Sequence, residues 1–284
     1  MISSVDLPLC EDDLAAPGVL EPATVLAGLR VEDMPEVAVL CFFPEVVEAL
    51  AAGGARRICR LSSERGRMPV WEVRADMLFP AEAQDHTADM PFPAEAQDDI
   101  VGGERLAVMQ PGVGAPLAVM FFEELIALGC RRFVAVGGAG ALLHDLTLGH
   151  AIVVDSAVRD EGTSFHYLPP GRVVDADPHG VKVLSAVLDE AEVPYRVARS
   201  WTTDAIYRET RSRVERRQAE GCAVVEMEAS ALIAVARYRG VRFAHLLLAA
   251  DSLAGDAWDH RGWTTAREAR DGLFRLAARA ALAL

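Results

Sequence analysis

Glu226-Met227-Glu228 sets two carboxylates on either side of a thioether, and that alternation suits a sugar. Carboxylate oxygens accept from vicinal hydroxyls while a methionine packs against the ring. A second acid stands at the end of the apolar run Arg242-Phe-Ala-His-Leu-Leu-Leu-Ala-Ala-Asp251. A lone carboxylate directly after such a run belongs at the carboxyl end of a buried strand, where open α/β sheets bind ligands, and is a candidate proton donor. Plainer alternatives stand beside both readings: two solvated glutamates at a strand end, and an aspartate capping a helix.

The elements around these acids follow from periodicity. Ala223, Val224 and Val225 read as the end of a short buried strand. From Ala229 the apolar residues take helical spacing through Leu232, Ile233 and Ala236, with Gly240 where a helix stops. Glu36–Phe43 reads as a first buried strand and Glu45–Ala52 as the helix after it. Further strands are expected at 57–61, 70–73, 106–109, 132–141, 149–158 and 195–199, and helices at 117–128, 181–191 and 265–282. Gln110-Pro-Gly-Val-Gly-Ala-Pro-Leu117 brings backbone close to a ligand at a helix start. It is not a dinucleotide fingerprint, because Leu117 stands where a third small residue belongs.

Composition agrees with an α/β unit. The 284 residues are 51% apolar and only 6% aromatic, suited to helices packed on a largely parallel sheet. A net charge of −14 argues against nucleic acid or an anionic membrane surface as partner. Five cysteines, an odd count without a Cys-x-x-Cys pair, suit free thiols in a reducing cytoplasm. No secretory signal or spanning apolar run is evident, so a soluble cytoplasmic protein is expected. No metal-ligand spacing, nucleophile elbow or Walker loop is found, and no cofactor is expected. Residues 1–34 read as an acidic arm broken by Pro8, Pro17 and Pro22, and 35–284 as one catalytic domain. Within it Ala75–Asp85 recurs as Ala88–Asp98, a duplicated acidic loop insertion at 75–98 with no assigned chemistry.

Val225-Glu-Met-Glu-Ala-Ser-Ala231 resembles the ribose-binding segment of the nucleoside phosphorylase family, which includes purine nucleoside phosphorylases, uridine phosphorylases and methylthioadenosine/adenosylhomocysteine nucleosidases. The resemblance covers roughly residues 36–278. It implies a mixed central β-sheet flanked by helices, a nucleoside as substrate, and a homo-oligomer. Glu226 and Glu228 would fix the ribose hydroxyls, Met227 would pack under the sugar, and Asp251 would protonate a departing purine.

Two departures bear on the acceptor. Phe42-Phe43-Pro44-Glu45-Val46 stands where phosphorylases carry a Gly-Asp-Pro-Gly-Arg phosphate loop. In Arg132-Phe-Val-Ala-Val-Gly-Gly-Ala-Gly140, Ala135 and Gly138 take the places of a phosphate-binding arginine and hydroxyl. Gly137, Gly138 and Gly140 read as a tight turn at the strand end, with Gly137 and Gly138 candidates for ligand contact. These losses favour water as acceptor, with Glu45 as general base; a glutamate serving only the helix dipole is the alternative. Phosphorolysis with phosphate as co-substrate, using arginines such as Arg74 or Arg105, is the runner-up. A non-catalytic nucleoside sensor is the third reading.

Arg159-Asp-Glu-Gly-Thr-Ser-Phe-His166 resembles the active-site loop of the uridine phosphorylase branch. It makes His166 a substrate-side donor or else a structural histidine, and Arg159–Asp160 a candidate ion pair. Ile206 takes the place of the family's base-stacking aromatic, Tyr207 follows it, and Phe165 or Trp201 would compensate. Residues 252–263 are expected to be flexible, with Arg261 pairing Asp251 or closing over the site.

Overall fold

The computed structural model describes residues 8–10, 14–79 and 104–284. Ten strands form one mixed sheet: β1 (Val37–Cys41), β2 (Arg56–Ser63), β3 (Gly66–Arg74), β4 (Arg105–Met109), β5 (Arg132–Ala141), β6 (Ala151–Asp160), β7 (Val173–Asp175), β8 (Tyr195–Thr203), β9 (Cys222–Glu226) and β10 (Arg242–Ser252). Their order is β10-β6-β8-β9-β5-β1-β4-β3-β2, with β7 on β6 and a further pairing of β10 with β5. Because β5 pairs with both β9 and β10, the strands β10, β6, β8, β9 and β5 close into a ring.

Helices cover both faces. Ala38 and Leu40 of β1 face a core built with α4 (Ala115–Ala127) and α7 (Ala229–Arg239). Val37, Val39 and Cys41 face the opposite core, built with α2 (Pro44–Ala52), α5 (Pro178–Glu190) and α8 (Arg267–Ala283). A strand buried on both faces must read as a continuous apolar run, which is why β1 shows no alternation. Two short helices, α1 (Pro22–Val25) and α3 (Ala75–Leu78), and α6 (Arg211–Ala219) complete the described α-helices. Gly240 ends α7 in the left-handed conformation, φ 65°, as its place after the helical spacing implies.

The described part of the arm lies over the domain: Leu26, Leu29, Val31 and Met34 pack on the α4/α7 core and Glu21 sits 3.7 Å from Arg239. Of the duplicated segment at 75–98, only Ala75–Phe79 are described, and they open with the turn α3 rather than a loop. The remainder lies outside the described residues. All five cysteines carry free thiols. Among the described residues no helix is long and apolar enough to cross a membrane.

Three local expectations are corrected. Gly137, Gly138 and Gly140 do not make a turn: β5 runs on through Ala141 with all three inside it. Gly137 lets Phe42 approach, since a Cβ there would stand 3.1 Å from the Phe42 Cβ; one at Gly140 would meet Leu253 at 2.8 Å and Val225 at 3.0 Å. β8 extends to Thr203, so Ser200, Trp201 and Thr202 are strand residues. Trp201 is fully buried with its Nε1 donating to Asp160 Oδ2 at 3.0 Å, so it has no face for a nucleobase.

Candidate active site

β9 ends on Glu226, and the chain turns through Met227 and Glu228 into α7. The two glutamates are both buried but differently employed. Glu226 Oε1 accepts from Ser200 Oγ at 2.8 Å and Thr202 Oγ1 at 2.6 Å, and Oε2 from the amides of Glu228 at 2.7 Å and Ala229 at 2.6 Å. Burial pushes its carboxyl above the ordinary range, and those donors pull it back. With each oxygen holding two donors, Glu226 is bound into the fold and shapes the β9–α7 turn.

Glu228 crosses to another element. Its Oε1 accepts from the Gly114 amide at 2.6 Å and its Oε2 from Met227 N at 3.3 Å. Gly114 is the residue before α4, with φ 98°, and has no side chain with which to cap the helix. Glu228 therefore supplies the acceptor that the free amide at the helix start needs. Burial first, and the Glu226 charge second, push the Glu228 carboxyl up to about 8. Beside it, Gly112 has φ 84°, and a Cβ there would stand 2.7 Å from the Arg65 guanidinium. Arg65 comes from the β2–β3 hairpin, which nothing in the local sequence marks. Met227 is half-buried between the two acids.

Asp251 reaches the same region by another route. β9 runs antiparallel to β5 while β10 runs parallel to it, so the two acids end strands of opposite sense instead of sharing one carboxyl edge. Their strands approach across β5: the Cβ position of Gly140 lies 3.0 Å from Val225, the residue before Glu226, and 3.6 Å from Asp251 Oδ1. Asp251 Oδ2 accepts from Trp258 Nε1 at 2.6 Å. Arg261 does not pair with Asp251; it donates to Leu146 O at 2.6 Å. Glu209 lies near enough for the Asp251 charge to act on it: burial first and that charge second push Glu209 up to about 7.

At the β1–α2 junction, Glu45 is bound by Arg270 of α8, Nη1 to Oε1 at 2.5 Å. The Arg270 guanidinium lies between the Phe43 ring, 5.2 Å from its centroid, and the Trp263 ring, 4.9 Å away. The two arginines considered for phosphate are engaged elsewhere: Arg74 with Asp76, and Arg105 with Asp33 and Glu72.

Of the remaining candidates, Ile206, Tyr207, His166 and Gly138 lie toward solvent. Ile206 and Tyr207 sit on a short 3₁₀ turn, 54% and 95% exposed. His166 ends another such turn and is exposed. Phe165 carries the Arg159 guanidinium 4.1 Å above its ring. Arg159 pairs not with Asp160 but with Ser164 Oγ at 2.8 Å and Pro169 O at 2.7 Å, while Asp160 binds Arg217 at 3.1 Å. Gly138 is exposed on β5, facing Ala250 at 3.7 Å, and Gly137 is covered by Phe42.

A family model described as the phosphorylase superfamily matches residues 97–283. The chain belongs to the phosphorylase superfamily. Among curated relatives it is 29% identical over 140 residues to the guanosine phosphorylase of Halorubrum lacusprofundi, covering 49% of this chain and 58% of that protein. It is 29% identical over 161 residues to the uridine phosphorylase of Thermococcus kodakarensis, 56% of this chain and 51% of that protein. The matches thus span little more than half the length of these relatives. In fold, it is similar over 89% of its length to 92% of the purine nucleoside phosphorylase of Toxoplasma gondii, solved in complex with immucillin-H, with a TM-score of 0.69 and 21% identity. It is likewise similar to the uridine phosphorylase of Vibrio fischeri, with a TM-score of 0.66, 24% identity and coverage of 88% of this chain and 90% of that one. The mixed sheet with flanking helices expected from the resemblance is the phosphorylase fold.

Proposed function

We propose that this chain cleaves the N-glycosidic bond of a nucleoside, with phosphate as acceptor and a purine as the favoured base. Glu228, anchored on α4, accepts the ribose hydroxyls, and Met227 packs under the sugar. Glu226 supports the turn that carries both. Attack at C1′ breaks the bond to the base nitrogen, whose electron pair leaves with the base, and Asp251 delivers the proton. Positioning and charge stabilisation of this kind supply most of such a barrier reduction.

The observation that carries the choice of acceptor is the Arg270–Glu45 pair. The hydrolytic reading rested on two lost phosphate sites, at the β1–α2 junction and at Ala135 and Gly138 of β5, with Glu45 as a free base. Glu45 is instead engaged by the Arg270 guanidinium 2.5 Å away, which occupies the base that hydrolysis needs and places an arginine at that junction. Its phosphorylase relatives point the same way.

The test is a panel of purine nucleosides and uridine, incubated with purified protein with and without phosphate. Phosphate-dependent release of base with ribose 1-phosphate is expected. Free ribose in both conditions would return the acceptor to water, and binding without product would make the protein a nucleoside sensor. In a family whose sites are completed by neighbours, a homo-oligomer is expected, and sizing the same sample checks it.

A further inference from the structure

Trp258 combines two properties that rarely coincide. It is 61% exposed, yet its single polar atom is held, Nε1 donating to Asp251 Oδ2 at 2.6 Å. Large aromatic faces are usually covered, and a ring left open beside a candidate acid invites a flat ligand.

The segment presenting it is braced rather than flexible. Ser252 and Asp259 exchange amide bonds at 2.8 and 2.9 Å. Ser252 Oγ accepts from Ala254 N at 3.2 Å, and Arg261 donates to Leu146 O at 2.6 Å. The His260 ring stands edge-on to the indole, with centroids 5.4 Å apart at 90°. Arg211, which starts α6, donates to Leu253 O at 3.0 Å and also to Gly255 O, and so ties the start of α6 to this segment. One vacancy in the local sequence fits the arrangement: Ile206 stands where the resemblance places a base-stacking aromatic.

We propose that Trp258 is a specificity-determining residue: its indole face is the aromatic wall for the nucleobase, while its N–H aims Asp251 by holding Oδ2. Oδ1 has no hydrogen-bond partner among the described residues and is the oxygen that meets the base. The inference rests on the nucleoside reading above, and extends it to how the base is held.

The experiment compares wild type with Trp258→Phe and Trp258→Ala, in turnover of a purine nucleoside with phosphate and in titration with hypoxanthine followed by tryptophan emission. Base–aromatic stacking predicts a KM, or a hypoxanthine Kd, at least about 10-fold higher in Trp258→Ala with its melting temperature kept. Trp258→Phe retains a stacking face, so its KM stays within about 3-fold. It loses the N–H to Asp251, so its kcat falls, and it loses the base-induced quenching expected of wild type. A merely structural tryptophan would not split KM from kcat between the two variants. Unchanged KM and Kd in Trp258→Ala would overturn the assignment of Trp258 alone. A wild type that neither cleaves nucleosides nor binds the base would overturn the nucleoside reading together with it. If wild type binds hypoxanthine without turnover, the Kd ratio decides for Trp258 by itself.

Discussion

Glu228 Oε1 and the Gly114 amide are 2.6 Å apart, joining residues separated by 114 positions in sequence. That bond locks the β9–α7 turn to the start of α4 and sets where the candidate sugar-binding carboxylate points. Gly114 holds φ 98°, a conformation side-chain-bearing residues rarely adopt. Gly114→Ala is therefore expected to cost about 1–2 kcal/mol. Its nucleoside KM should rise more than its kcat falls, because the carboxylate loses its anchor. Urea melts and steady-state kinetics of the variant check both.

The raised Glu228 carboxyl makes stability pH-dependent. Folded, it keeps its proton up to about 8, whereas in the unfolded chain it releases it near 4.5. Between those values the native state binds more protons, so stability falls as pH rises, by up to about 1.4 kcal/mol per pH unit. Glu228→Gln removes this dependence. Thermal melts from pH 5 to pH 8 should decline less steeply for the variant than for wild type; parallel curves would contradict the assignment.

Glu226 is expected to matter through structure. Glu226→Ala strands the hydroxyls of Ser200 and Thr202 and the amides of Glu228 and Ala229, all bound to it now. A loss of about 3–5 kcal/mol follows from leaving several buried donors unpaired. Thr202→Val removes one of those donors, and also the acceptor of the Ser230 amide at 2.9 Å. It should cost about 1–2 kcal/mol. Denaturant unfolding of both variants and the double mutant measures the coupling.

Glu45→Gln separates the two acceptor chemistries. If Arg270 serves phosphate, weakening its pair with Glu45 changes the KM for phosphate and lowers stability by about 2 kcal/mol, Glu45 being only partly buried. A collapse of kcat with no change in phosphate dependence would instead restore Glu45 as the base. Initial rates against phosphate concentration give the answer.

His245 on β10 is 2% exposed and neither ring nitrogen has a partner among the described residues. Burial pushes its pKa down to about 3 from an ordinary 6.5. The unfolded chain takes up a proton between those values that the native state excludes, so stability present above pH 6.5 is lost as pH falls. His245→Leu should raise stability at neutral pH by about 1–2 kcal/mol, by removing unpaired polar atoms, and should flatten the acid limb of the melting curve. Calorimetry from pH 4 to pH 7 checks it.

Periodicity and residue type alone located the strands β1, β5, β9 and β10, the helix after Glu228 and its glycine stop, and pointed to the phosphorylase family through Val225–Ala231. Those features are local: an apolar run or a 3.6-residue spacing reports which faces are buried without reference to distant chain. Partner choice is not local. Glu226 and Glu228 look equivalent as letters, yet one is bound within its own turn and β8 while the other crosses to α4. Glu45 looked free until α8 delivered Arg270 from 225 positions away, and Asp251 until Trp258 turned back on it. Glycines read as a turn became strand, because β10 and β9 pair with them, and Phe42, Leu253 and Val225 fill the space side chains would need at 137 and 140. The mixed topology, with β5 paired on both sides, brings these groups together; side chains then settle by desolvation and hydrogen bonding among neighbours that only the packed sheet supplies.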